Sequence, residues 1–282
     1  MSLPAFRFAP SPNGELHLGH AYSALLNARM AAERGGRFLI RIEDIDTVRC
    51  TAALTARALA DLAWLGLAWE EPVRVQSRHL KDYAAAQVRL RMMGLLYPCF
   101  CSRKDIAALG ASGPRDPEGQ PLYPGTCRKL SPSEIADRMA GGIPCAMRLD
   151  MALAQSRFTS PLTFAEKDQT VAADPSLWGD VVLVRKDIGT SYHIAVVTDD
   201  ALQGISHVVR GRDLHAATAI HRLLQELHGL LAPSYHHHEL IGDETGRKLS
   251  KSAGDISLRT LREQGVSAAA IRRALGFACV PP

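Results

Sequence analysis

The chain has 282 residues, of which 46% are hydrophobic and 22% charged, the balance of an ordinary globular domain with enough residues for a full core. Its 22 glycines and 16 prolines are far too few for a disordered or collagen-like chain, and a mean hydropathy of −0.05 without an 18-residue apolar run excludes a transmembrane helix. The net charge of +4 permits a polyanionic partner without demanding one. Arginine outnumbers lysine 26 to 7, and arginine offers a rigid fork to carboxylate and phosphate. The opening MSLPAFRFAPSPNG lacks the basic flank, apolar stretch and cleavage site of a secretory signal, so a cytoplasmic protein is expected. Six cysteines in such a setting predict core fillers or metal ligands rather than disulfides.

Phe6 to Ala9 reads as a short strand entering the turn Pro10–Gly14. Leu18, Ala21, Tyr22, Leu25, Leu26 and Met30 recur at helical spacing until Gly35-Gly36, and Arg37 to Glu43 is a second strand. Helices are predicted over 51–65 and 79–93. This order opens a parallel α/β sheet. The stretch 110–127 is dense in glycine and proline, which predicts an insertion over 97–178 with a small fold of its own. Sheet-like segments return at 180–185 and 192–198, followed by an amphipathic helix over 213–229. A glycine-rich turn at 242–246 and two short helical patterns fill the tail. The expected layout is a catalytic domain in two halves, 1–96 and 179–232, with an appendix at 233–282.

Two segments carry phosphate chemistry. In Pro10-Ser-Pro-Asn-Gly-Glu-Leu-His17-Leu-Gly19-His20, a strand meets a helix N-terminus, whose N–H groups and dipole suit an anion. His17 and His20 share one helical face, and Gly19 admits a planar ligand close to the backbone. Lys248-Leu-Ser250-Lys251-Ser252, about 230 residues on, offers two cations and two hydroxyls to the outer phosphates of a nucleotide. A third segment, Cys99-Phe-Cys101 with Cys127, has the spacing of a tetrahedral zinc knuckle. Its fourth ligand is open, because no histidine lies between positions 80 and 192; Tyr123 is the candidate. Cys50, Cys145 and Cys279 lack such spacing. The run His236–His238 is read as structural, since consecutive side chains diverge on a strand.

With HLGH and KLSKS in this order, the chain resembles a class I aminoacyl-tRNA synthetase of the glutamyl type. Arg7-Phe-Ala-Pro-Ser-Pro, Arg41-Ile-Glu43-Asp-Ile-Asp46, Tyr192 to Asp200 and Val209-Arg-Gly-Arg-Asp213 extend the likeness. The resemblance implies a Rossmann-like α/β catalytic domain split by a zinc-containing insertion, with a short, mostly helical C-terminal appendix. It implies that Arg7, Ala9, Ser11, Glu43, Tyr192 and Arg210 hold glutamate. A ligand with two carboxylates and an ammonium needs such guanidinium forks and a counter-carboxylate. It further implies that His17, Gly19, His20, Lys248, Ser250 and Lys251 bind ATP, that His17, His20, Lys248 and Lys251 serve catalysis, and that Mg²⁺ travels with ATP. Asn13 stands where the family commonly has threonine, and Glu239 where it usually has proline.

Thirty residues follow Ser252, and no anticodon-binding domain is expected among them. That feature and the Cys-x-Cys…Tyr-x-x-x-Cys pattern resemble the truncated paralogues that join glutamate to queuosine in the anticodon of tRNA(Asp). The likeness implies one structural zinc on Cys99, Cys101, Tyr123 and Cys127, and a monomer. The rival readings are a truncated enzyme charging tRNA(Glu), a small-molecule adenylyltransferase, and a non-catalytic zinc-containing RNA-binding protein. The last needs neither HLGH nor KLSKS.

Overall fold

The computed structural model describes residues 3–242 and 256–277. Strand β1 (Ala5–Phe8) is buried along its whole length and leads through the Pro10–Gly14 turn into helix α1 (Leu18–Glu33). Gly36 closes the return from α1, where an added Cβ would lie 2.5 Å from the Pro4 carbonyl oxygen. Strand β2 (Arg37–Ile42) then pairs parallel to β1 in register, from Ala5 with Arg37 to Phe8 with Ile40. Helix α2 (Ala52–Trp64) is capped by the Thr51 hydroxyl. Strand β3 (Glu70–Val75) pairs with β2, followed by helix α3 (Leu80–Met92). The sequence reading has no strand at β3. Its EEPVRV run is half exposed at the sheet edge and lacks an apolar face.

The insertion does not fold wholly apart. Strand β4 (Leu96–Cys99), helices α4 (Arg103–Leu109) and α5 (Pro132–Ala140), strand β5 (Ala146–Leu149) and helix α6 (Met151–Gln155) come first. Strands β6 (Thr163–Glu166), β7 (Gln169–Ala172) and β8 (Val182–Val184) follow. β4, β5 and β8 make a small antiparallel sheet, so the segment expected to resume the large sheet at 180–185 belongs to the small one. The β6–β7 hairpin does the opposite and extends the large sheet.

Residues 192–198, expected as sheet, form helix α7 (Tyr192–Leu202). The Ser191 hydroxyl caps it, and its β-branched Ile194, Val196 and Val197 are buried. Packing and capping override their strand preference. Strand β9 (His207–Gly211) and helix α8 (Thr218–His228) follow, with Ile220, Leu223, Leu224 and Leu227 all buried. Strand β10 (Ser234–His238), assigned by the sequence reading to the appendix, is a full member of the large sheet. That sheet runs β3-β2-β1-β9-β10-β6-β7, parallel except for its last pair. Helices α9 (Leu258–Glu263) and α10 (Ala268–Ala274) bury Leu258 and Ile271, and the chain after α10 buries Phe277, in the same core as Phe6, Leu16 and Leu25.

Candidate active site

The strands β1, β2, β9 and β10 point their carboxyl ends at a cavity of about 600 Å³. A crevice outside those ends is where ligands bind in open parallel sheets. Arg7, Ala9, Ser11, His17, Gly19, His20, Glu43, Tyr192 and Arg210 all line it, so nine residues singled out from the sequence meet in one place. Lys248, Ser250 and Lys251, with residues 243–246 of the turn before them and Cys279, lie outside the described residues.

The HLGH turn is built by its own rings. His17 is the N-cap of α1, and its Nδ1 accepts from the Gly19 N–H at 3.1 Å. The His20 Nδ1 accepts from the His17 N–H at 3.2 Å. With both Nδ1 atoms accepting, the neutral rings carry their protons on Nε2. Gly19 has a role beyond admitting a ligand, because a Cβ there would sit 3.0 Å from the His17 ring.

Arg7 and Glu43 reach from the cavity wall into a charge network whose other members motif reading gave no role. Arg7 Nε donates to Asp200 at 3.0 Å, and fully buried Arg41 donates to Asp200 at 2.6 Å and to Glu43 at 3.0 Å. Arg74 binds Asp199 and Asp82, each at 2.6 Å, while Gln76 and Tyr83 also donate to Asp199. Three guanidinium groups thus face four carboxylates. Burial would raise Asp200, but Arg7 and Arg41 outweigh it and hold its carboxyl down to about 2. For Glu43 burial wins over Arg41 and Arg7, and its pKa is raised. Cys50, which lacks ligand-like spacing, has its Sγ 3.6 Å from the Ser11 hydroxyl, and burial pushes its thiol up. His238 also lines the cavity, with its ring edge-on to Tyr22.

In the insertion, the sulfurs of Cys99, Cys101 and Cys127 lie within 4.8 Å of one another. Cys101 Sγ is 3.6 Å from Cys127 Sγ and 3.7 Å from the Tyr123 Oη. Tetrahedral zinc with bonds of about 2.3 Å sets its sulfurs roughly 3.8 Å apart, so the donor set has the size of such a site. The N–H groups of Phe100 and Cys127 donate to Cys127 Sγ and Tyr123 Oη respectively, and the Arg148 guanidinium covers the Tyr123 ring at 3.9 Å. Both devices favour anionic ligands. A second cluster, Glu166, His215 and His237, borders the Arg210 side chain.

The cavity is lined by Arg7, Arg210 and a histidine-capped helix start, and the chain belongs to the tRNA synthetases class I (E and Q), matching their catalytic domain over residues 5–282. It is 46% identical to the glutamyl-Q tRNA(Asp) synthetase of Rhodobacter capsulatus, across 96% of this chain and 99% of that protein. The protein of the same name from Symbiobacterium thermophilum is 40% identical, over 93% of this chain and 82% of its own. Among solved structures, a glutamate tRNA ligase from Elizabethkingia meningosepticum in complex with its amino acid superposes with a TM-score of 0.74 at 27% identity. That match covers 90% of this chain but only 53% of the ligase, so the chain spans about half of that enzyme.

Proposed function

We propose that the protein activates L-glutamate with ATP, without tRNA, and transfers the glutamyl group to the queuosine base in the anticodon of tRNA(Asp). The observation that carries this reading is the convergence of Arg7, Glu43, Tyr192 and Arg210 beside the HLGH turn. The nearly full-length likeness to glutamyl-Q tRNA(Asp) synthetases supports the choice of acceptor.

The glutamate carboxylate attacks the α-phosphorus of ATP in line; the new O–P bond forms as the bond to pyrophosphate breaks, leaving glutamyl-adenylate. Positioning and charge stabilisation supply most of the catalysis in such transfers. Arg7 and Arg210 take the carboxylates, Glu43 the ammonium, and Tyr192 with Ser11 and the Ala9 backbone complete the amino-acid subsite. The Nε2–H groups of His17 and His20 donate to the nucleotide phosphates beside Gly19. Lys248, Ser250 and Lys251 hold the departing pyrophosphate. Mg²⁺ enters with ATP. An RNA hydroxyl then attacks the adenylate carbonyl carbon, and AMP leaves with the electron pair. The insertion, taken over 97–178, holds one structural zinc on Cys99, Cys101, Tyr123 and Cys127, which ties down a segment too polar to form its own core.

Glutamate-dependent ATP–pyrophosphate exchange without RNA tests the first step; it should be absent with glutamine and collapse in Lys251→Ala. Labelled glutamate should pass to queuosine-containing tRNA(Asp) and not to the same tRNA with guanosine at that position. Efficient charging of tRNA(Glu) at its 3′ end would overturn the assignment in favour of a truncated glutamyl-tRNA synthetase.

A further inference from the structure

Arg210 is 6% exposed, and each of its donor atoms is engaged. Its Nε donates to His237 Nε2 at 3.1 Å. One terminal nitrogen donates to His221 Nδ1 at 3.2 Å and to Tyr192 Oη at 3.4 Å. The other donates to the Leu214 carbonyl at 3.1 Å and the Thr218 hydroxyl at 2.8 Å. All five acceptors are neutral. Arg7 differs, being committed to Asp200; among the described residues no carboxylate pairs with Arg210. Its charge is therefore not neutralised by any carboxylate among the described residues, and its position is set by neutral groups.

A guanidinium only donates, so His237 accepts from it solely when Nε2 bears no proton. The proton then sits on Nδ1, which lies 2.6 Å from Glu166 Oε2. The other oxygen of Glu166 accepts the His237 backbone N–H at 2.8 Å. Glu166 ends β6, in the hairpin that the insertion adds to the large sheet, and His237 lies on β10 beside it. The same logic fixes His221: accepting from Arg210 at Nδ1, it carries its proton on Nε2, 3.2 Å from His193 Nδ1.

We infer that His237 is a positioning residue for the glutamate-binding Arg210, and that Glu166 keeps His237 in the tautomer able to accept from it. This rests on the reading of Arg210 as a carboxylate receptor. A cation bound at Glu166, His215 and His237 would sit against that guanidinium, so the cluster serves as a hydrogen-bond relay and not as a metal centre. If the imidazole turned an N–H towards Arg210, two donors would face each other and the fork would swing out of line.

The test is the KM for glutamate and for ATP in pyrophosphate exchange. His237→Leu removes a bond to a charged group and should raise the glutamate KM about 10- to 100-fold, with the ATP KM unchanged within about twofold. His237→Gln returns an acceptor near the Nε2 position and should recover most of that loss. Glu166→Gln places an amide where two N–H groups expect oxygens, and should raise the glutamate KM in the same selective way. A merely structural role would lower melting temperature and active fraction while leaving both KM values intact. Should His237→Leu fail to fold, Glu166→Gln decides the matter. Unchanged glutamate KM in the folded variants overturns the positioning role alone. Absence of glutamate-dependent exchange in the wild-type chain overturns the functional reading, and this inference with it.

Discussion

Replacing Arg41 with leucine probes the charge network where it is densest. Asp199 would keep Arg74 at 2.6 Å along with Gln76 and Tyr83, and Asp200 would keep Arg7 at 3.0 Å. Glu43 would lose the one ion-pair partner it has among the described residues, Arg41 at 3.0 Å. Orphaning a buried charge costs about 3–5 kcal/mol, and less where the carboxylate reaches a cavity, as Glu43 does with its side chain 12% exposed. Burial already raises the Glu43 pKa, so proton uptake relieves part of the cost and the lower end, about 3 kcal/mol, is expected near neutral pH. The variant should melt roughly 6–12 °C below wild type and unfold at lower urea. Its deficit should shrink as pH falls and Glu43 takes its proton. The double variant Arg41→Leu with Glu43→Leu removes the orphan, so the two effects should fall short of additivity by at least about 1 kcal/mol. A single-variant loss under about 1 kcal/mol, or strict additivity, refutes the reasoning.

Other consequences can be measured as directly. Elemental analysis should find about one zinc per chain, falling in Cys101→Ser; folded, active, metal-free protein contradicts the site. Burial, then Arg89, pushes His228 down to about 4, whereas an unfolded histidine titrates at about 6.5. Below that pH the unfolded chain binds a proton that the folded chain refuses. Stability is therefore complete above about pH 6.5, falls by about 3 kcal/mol per such histidine down to pH 4, and then levels; urea midpoints that match at pH 7 and 4.5 would contradict this. Gly36→Ala forces a Cβ onto the Pro4 carbonyl, 2.5 Å away, and should destabilise by roughly 1–3 kcal/mol; an unchanged melting temperature would mean that the turn relaxes freely.

The sequence exposes what is local. Period-3.6 patterns gave α1, α2 and α3 to within a residue or two, and the motifs brought nine residues to one cavity. It hides what depends on partners distant in the chain. Ile194, Val196 and Val197 read as strand until α3 and α8 pack on α7 and Asp199 and Asp200 find their arginines. β3 and β10 lack apolar alternation because charged and histidine side chains there are satisfied across the fold, Arg74 by Asp199 and His237 by Glu166. Arg41, Asp199, Asp200 and His237 stand inside or beside quoted motifs, yet spacing alone gives them no role. Their signal is a cluster of buried charge, visible only once β2 and α7 face each other.

The place of β1 in the middle of the sheet bears on how the chain is made. One of its flanks pairs with β2, available soon after it, but the other waits for β9: the Ala5 N–H finds the Ser206 hydroxyl across 201 residues. At ribosomal speeds of about 5–20 residues per second, that wait is on the order of 10–40 s. Throughout it, an apolar strand edge stands open to any passing chain, the kind of edge that folded proteins cover. The nascent protein thus carries an open strand edge early, well before the crevice beside β1 and β9 can exist.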